Sequence, residues 1–569
     1  MYLKRIAVLC LALIILWGAF PSCKSKHAAT KKEIVQKPED MNDEITDNIR
    51  DVLQYALDNH GKINDSIRLA LPVVVNHFYE KNDFHNFWSS EEHWLPVADS
   101  MFSFIAHAKY YGLYPEDYHY RVLSSIRERI HGDSTARKDA IMWTKADLLL
   151  SDAFMRTVKD LHQGRLVPDS NSIARRPRFI DSLFVPALLK LKTVDTLSGL
   201  LHTLEPDNVK YQALREVLPK FVDHMDTFHY QYINYPTTDS MTMIENLQRR
   251  LFQAGAVPDS VLQSPEGQMP DSPHLRKELI KYEGSHGLRK DGRLTDKLVD
   301  ALNNTDNEKF KRIAITLDRY KLLPDPMPSR YVWVNLPGFY MELMVDDTVQ
   351  IWSRVIVGKP TTPTPTLVSS ISDMVTYPQW TIPASIIRKE ILPALKKDPG
   401  YLAKKGYNIV DKKGDVVDPY TVDWNRYTHG IPWKIIQGSG DDNALGILKF
   451  NFNNPYSVYL HDTNQRYLFS NSVRALSHGC VRLQKWEKLA FFIADGDTLN
   501  LNREHKPAYN EDSLKTWLAK KDRKRIFVKN RLPLYFEYFT CVGSDHKLVI
   551  YNDIYNQDKA MAQKYFARK

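Results

Sequence analysis

The decapeptide R-A-L-S-H-G-C-V-R-L (Arg474–Leu483) puts a cysteine next to a glycine and two positions after a histidine. Upstream, Y-L-H-D-T (Tyr459–Thr463) ends a β-patterned run with a second histidine, nineteen residues before the thiol. That spacing suits a hairpin-like excursion returning to the same sheet edge, with His461 and Cys480 as neighbours. A free thiol is only a few per cent thiolate at neutral pH, so a basic partner or a positive field must activate it. His461, His478, Arg474 and Arg482 supply such groups. Gly479 leaves room beside the sulfur for a carbonyl, with backbone N–H groups to receive its oxyanion. Acyl transfer through a thioester fits this set. A zinc site on His461, His478 and Cys480 would need a fourth ligand that no nearby CxxC or HxH motif offers. An inert core cysteine is the commonest fate of a lone thiol, so residue chemistry favours the nucleophile without closing the alternatives. A papain-like protease would place its cysteine before its histidine, the reverse of this order.

Outward from this stretch the pattern divides. From Tyr331 it is β-rich: Y-V-W-V-N-L, M-E-L-M-V and I-W-S-R-V-I-V alternate. Further strands are expected at Ile447–Phe452, Ser457–Leu460 and Thr498–Leu501, with a hairpin of Leu534–Val542 and Lys547–Tyr551 turning at G-S-D-H. Between about 382 and 440 the sequence turns helical and irregular, which reads as an insertion over the sheet, and such an insertion is often a lid. Residues 46–240 are mostly helical and carry no evident chemistry. Thr144–Gly164 puts Leu150, Phe154, Val158 and Leu161 on one face, and a helix is expected over Pro96–Tyr111. A smaller unit, 241–304, holds helices at Thr242–Ala254 and from Leu275, then a turn and short helix over Gly287–Asn303. A connecting helix fills 305–330, the catalytic candidate spans 331–502, and 503–569 is a C-terminal extension.

The 569 residues imply roughly three to five domains. Hydrophobic (43%) and charged (25%) fractions are those of globular protein, and a net charge of +9 without an arginine-rich aromatic run gives no case for nucleic acid. Lys4 and Arg5 precede an apolar run from Ile6 to Phe20, short for a bilayer span and suited to a signal core. Ser22-Cys23 at its end resembles a lipoprotein cleavage site, with Cys23 lipidated, residues 24–45 a tether, and the protein held in the periplasm by its lipid. An ordinary signal or an uncleaved anchor remains the alternative. Beyond the leader, only Cys480 and Cys541 remain of four cysteines, free to pair or to divide into one reactive and one core thiol.

His461, followed by Ser477-His478-Gly479-Cys480-Val481-Arg482, resembles the signature of the YkuD-type L,D-transpeptidases. Blocks at Val334–Phe339, Val355–Lys359, Thr364-Pro365, Tyr377–Pro383, Asp398–Leu402 and Asn443–Gly446 resemble its large YcbB-like group, as do D-L-H-Q-G-R at Asp160–Arg165 and L-P-L-Y-F-E-Y-F-T at Leu532–Thr540. Where that group carries a proline-bearing loop, this chain has Q-G-S-G-D-D-N-A-L-G. His286, Gly287, Leu288, Asp291, Gly292, Ala301, Leu302 and Asn303 resemble the three-helix peptidoglycan-binding domain, a generic helical linker being the alternative. The resemblance implies a multidomain α+β protein: a helical scaffold, a small peptidoglycan-binding-like domain, and a β-rich catalytic domain with a capping insertion. It implies Cys480 as nucleophile, His461 as base oriented by a backbone carbonyl near Asp462, and His478 with the Gly479 and Cys480 N–H groups at the oxyanion. Ser477, Arg482, Trp380 and Tyr459 would bind substrate, a peptidoglycan stem peptide, with no cofactor or metal.

Overall fold

The computed structural model describes residues 33–167, 184–191, 197–256, 273–499 and 509–566. The leader and Cys23 lie outside these residues. Residues 33–45 are no free tether, because a helix starts at Met41 and buries Met41 and Ile45. The described residues form two compact units, 33–163 with 184–191 and 197–205, and 164–167 with those from 206 onward.

The first unit is helical around α1 (Ala140–His162). Its expected stripe is buried, but so is nearly every other face. The polar residues of α1 are spent on loops: Asp152 accepts the N–H groups of Ala70 and Leu71 and a ring nitrogen of His119. Asp147 accepts the Phe87 and Trp88 N–H groups and the Tyr79 hydroxyl, and burial pushes its carboxyl up to about 6. Such saturation lets a carboxylate sit inside an apolar bundle. The helix expected over Pro96–Tyr111 is α-helical to Ala106 and then tightens to a 3₁₀ turn at Ala108–Tyr111.

In the second unit, α2 (Val209–His224) pairs Lys210 with Glu342 and Glu216 with His546 (2.6 Å), so a helix read as scaffold packs with the strands. A trio follows: α3 (Ser240–Gln253), α4 (Pro273–Ser285) and α5 (Asp296–Asn303). They enclose Ile244, Leu247, Leu251, Leu279, Tyr282, Leu298 and Leu302, and Asn303 exchanges two hydrogen bonds with Ile233. Helix α6 (Asp306–Tyr320) leads into the sheet.

That sheet contains β1 (Arg330–Asn335), β2 (Tyr340–Val345), β3 (Thr348–Gly358), β4 (Leu367–Thr376), β9 (Leu448–Phe452), β10 (Leu460–His461), β11 (Ala475–Ser477), β12 (Val481–Leu483) and β13 (Arg525–Glu537). The order is β11–β3–β12–β10–β9–β4–β13–β1–β2, and a β2–β3 pairing closes it on itself. Alternate residues fill its inside, among them Val332, Leu448, Phe450, Leu460, Val481 and Leu534. The insertion hangs between β4 and β9: β5 (Trp380–Thr381), β6 (Tyr407–Val410), β7 (Val416–Val417) and β8 (Lys434–Gln437) form an antiparallel sheet ordered β5–β8–β6–β7. It has its own core of Ile387, Ile391, Leu395, Leu402, Ile409, Trp424 and Ile435.

Three strand readings change. Thr498 and Leu499 end the helix α7 (Trp486–Leu499), whose Trp486, Leu489, Ala490, Ile493 and Ala494 bury at helical spacing; the remainder of the expected strand lies outside the described residues. Ser457 has a left-handed backbone (φ 57°), so only Leu460–His461 pair there. The strand expected over Leu534–Val542 divides: its first part ends β13, and the hairpin is β14 (Cys541–Ser544) with β15 (Lys547–Ile550).

One glycine governs the approach to β10. Gly446 has φ 65°, and a β-carbon there would lie 2.3 Å from the Asp462 carboxylate. A Gly446→Ala substitution is expected to destabilise the second unit by about 1–3 kcal/mol, read by thermal unfolding; an unchanged transition would contradict this packing.

Candidate active site

Strand β10 is two residues long and makes two different pairings. Lys449 of β9 lies opposite His461, and His461 lies opposite Arg482 of β12, in parallel register. Directly paired residues share a face, so Lys449, His461 and Arg482 form one row across three strands, outside the apolar interior. One step back along the same register, Val481 N–H donates to Tyr459 O (3.0 Å), which sets Tyr459 beside Cys480. The thiol and His461 thus fall two register positions apart, through a parallel pairing in place of the hairpin-like return expected from the spacing, because β11 intervenes between the two strands in sequence.

The turn carrying Cys480 is held from within. Ser477 donates its hydroxyl to Cys480 O (2.6 Å) and accepts the Gly479 N–H (3.1 Å). Thr364 donates to Gly479 O (2.8 Å) and accepts the Gly358 N–H. Gly479 sits at φ 120°, a conformation that side chains rarely adopt. Two expectations are corrected here. Ser477 is 3% exposed with its hydroxyl spent on the turn, so it shapes the site rather than facing a ligand. The Gly479 N–H is committed to Ser477, which leaves the Cys480 N–H as the better placed oxyanion donor of the two.

His478 does not lean on the sulfur's turn. Its Nε2 meets Glu390 Oε1 at 2.6 Å. Glu390 lies in a π-helical turn of the insertion, Ile387–Ile391, so the cap reaches the residue next but one to the thiol. A second strut joins the cap strand β5 to the site, where Trp380 Nε1 donates to the Tyr459 hydroxyl (3.0 Å). Trp380 and Tyr459, named separately from sequence, are therefore one unit. Because the tyrosine oxygen accepts from the indole, its own proton is free to turn toward Cys480.

The electrostatics favour uncharged partners at rest. Burial pushes the Cys480 thiol up, opposed by hydrogen bonds from the Tyr459 N–H and hydroxyl and by the charges of Lys449 and Arg482. His461 is 4% exposed and its pKa falls to about 3. Burial is the largest cause, the Arg482 charge the next, and the backbone carbonyls of Asp462 and Leu445 pull the other way. Nδ1 lacks a hydrogen bond of regular geometry. Such an imidazole is neutral at physiological pH and holds a proton only weakly. The Asp462 carboxylate accepts from Ile447 N–H (3.1 Å) and Arg466 (2.9 Å), so it braces the loop. Arg482 reaches Gln465 (3.0 Å). Cys541, by contrast, is fully buried, its thiol pushed up to about 12, and both thiols are free.

Sequence reasoning named Thr364 only within a family-like block and did not single out Lys449 or Glu390. Lys449 sits in L-K-F-N-F, where a polar residue at an outward strand position reads as solvated surface; only the register shows what it faces.

A raised thiol and a lowered histidine mean that iodoacetamide should alkylate Cys480 more slowly than free cysteine at about pH 7, with a rate rising about tenfold per pH unit past pH ~8.5. The Cys480→Ala protein serves as blank. A reactivity plateau beginning below about pH 7 would show a resting thiolate–imidazolium pair instead.

Two family models match the chain: an L,D-transpeptidase catalytic domain (YkuD) over residues 329–501 and a scaffold domain over 74–218. A curated Haemophilus influenzae relative bearing an L,D-transpeptidase name is 29% identical over 305 residues, which is 52% of this chain and 60% of that protein. The chain thus spans less than two thirds of that relative's length. Similar solved structures include the catalytic domain of an Enterococcus faecium L,D-transpeptidase acylated by ertapenem, at 13% identity and TM-score 0.17, covering 37% of this chain and 98% of that one. A crystal structure of an E. faecium L,D-transpeptidase variant matches at 12% identity and TM-score 0.17, covering 49% and 90%. Likenesses at that TM-score carry no argument. Residues 74–218 thus match a scaffold domain and residues 329–501 a YkuD-type L,D-transpeptidase catalytic domain.

Proposed function

We propose that the protein is an exported peptidoglycan L,D-transpeptidase of the YcbB-like group. The observation that carries the reading is the placement of Cys480 against Tyr459, two register positions from a neutral, buried His461, within the matched catalytic domain. In this reading the Cys480 sulfur attacks the carbonyl of the third residue of a tetrapeptide stem. His461 takes the thiol proton as the S–C bond forms, the tetrahedral oxyanion draws on the Cys480 N–H, and the C–N bond to the terminal D-alanine breaks. The proton leaves with the alanine amine. The side-chain amine of a diamino acid on a neighbouring stem then attacks the thioester; the new C–N bond forms, the C–S bond breaks, and the amine's proton returns to the Cys480 sulfur, leaving a crosslink between two third-position residues.

With its pKa pulled to about 3, the resting His461 is a weak base, so this reading requires its basicity to rise as negative charge develops on the sulfur and oxyanion. The cost of forming the thiolate falls at the moment of attack, when Lys449, Arg482 and the two Tyr459 donors are already in place, so little reorganisation is required. The three helices α3–α5, with their His-Gly-Leu and Asp-Gly matches, serve in this reading as a cell-wall-binding module. Lys4, Arg5 and the following apolar run support export, and Cys23 a lipid anchor.

Purified protein incubated with tetrapeptide muropeptides should yield crosslinked dimers of the mass expected for loss of one alanine per bond. Cys480→Ala abolishes this, and His461→Ala lowers it by at least about 10³-fold, since members of a catalytic unit fail together. His478→Ala, which removes a cap contact, costs less. Hydrolysed stems in place of dimers would make water the acceptor, and dimers from Cys480→Ala would overturn the proposal.

A further inference from the structure

The site holds more positive charge than its own carboxylates neutralise. Asp373 is taken by Arg525 (3.0 and 3.2 Å), Asn451 (2.7 Å) and Ser372 (3.0 Å). Asp462 serves Arg466 and Ile447, and Glu390 serves His478. Against this, the half-buried Lys449 ammonium has no hydrogen bond or ion pair among the described residues; it lies 3.9 Å from the centroid of the Tyr459 ring. A cation–π contact offsets part of the desolvation, but three N–H donors still lack an acceptor.

Among the described residues Asp373 and the Cys480 thiolate act on it; the carboxylate is occupied by its own partners, and the thiolate is transient. Once the sulfur is acylated that charge is gone. A carboxylate brought by the substrate answers the position better. In a tetrapeptide donor the free carboxylate belongs to the expelled residue, roughly 4 Å from the carbonyl under attack. That distance puts it beside the sulfur, where Lys449 stands over the tyrosine that hydrogen-bonds the thiol.

We infer that Lys449 is a specificity-determining residue that receives the free α-carboxylate of the residue expelled from the donor peptide, so that the site selects stems ending one residue beyond the bond it breaks. The inference rests on the transpeptidase reading. Lys449 takes no part in the bond changes: the S–C bond forms, the C–N bond breaks, and the amino acid departs with the thiol's proton on its amine and its carboxylate unchanged. A longer stem would put a neutral peptide group where the carboxylate belongs.

The test compares two synthetic donors, the tetrapeptide and the same peptide with its C-terminus amidated, scored by the rate of Cys480 acylation as a mass shift. Wild-type protein should prefer the free acid by at least about 10-fold in kcat/KM, the scale of a charge-assisted hydrogen bond. Lys449→Gln, which also removes a charge near the thiolate, should cost the acid about 10-fold more than it costs the amide. Lys449→Arg should keep the preference. Equal losses on both donors from Lys449→Gln would assign the residue to the thiol or to packing and overturn the inference. So would a wild-type protein indifferent to amidation, a result that needs no variant to fold. Absence of acylation by either donor in folded wild-type protein would overturn the transpeptidase reading itself, and is distinguishable as a missing mass shift rather than a missing preference.

Discussion

The parallel pairing of Leu460–His461 with Val481–Leu483 is the constraint on which the site depends. Two residues of strand bring together positions about twenty apart in sequence and give each a face. Leu460 and Val481 turn into the apolar interior, whose burial fixes the register, since a slip by one residue would put His461 and Arg482 into the core. The row is therefore anchored by hydrophobic contacts: what holds His461 and Arg482 in register is the cost of exposing their neighbours.

The same row keeps a buried histidine next to two cations uncharged. Desolvation and the Arg482 charge disfavour imidazolium, while burial disfavours thiolate, so neither charge exists before a substrate arrives. A preformed ion pair would have its proton already transferred. Here the environment is prepared for a negative charge that appears only during reaction, with two N–H or O–H donors from one tyrosine and two cations around it. The cap takes part through Trp380, which fills the acceptor lobe of that tyrosine.

Much of this was legible in the sequence because it was written in short-range pattern. Alternation from Tyr331 announced strands, and the His…Ser-His-Gly-Cys spacing announced the pair that β10 and β12 align. What escaped had no local signature. Lys449 looks like any polar residue on an outward strand position, and Glu390 like any charge on a helical insertion; each acquires meaning from a partner far along the chain. The helix α2 shows its apolar face in its periodicity but not which neighbour will cover it, and it joined the strands instead of the bundle. Tyr459 was named for substrate, whereas its hydroxyl turns out to be shared between the cap's indole and the thiol.

Cys541 gives the site a redox character. Being fully buried, with a thiol that ionises only near pH 12, it offers no attacking thiolate to Cys480. Among the described residues Cys480 has no internal resolving partner, so an oxidised Cys480 cannot be rescued by intramolecular disulfide exchange. A sulfenic acid formed there in an oxidising compartment would persist until an external thiol met it, and the half-buried setting under the cap decides how large that thiol can be.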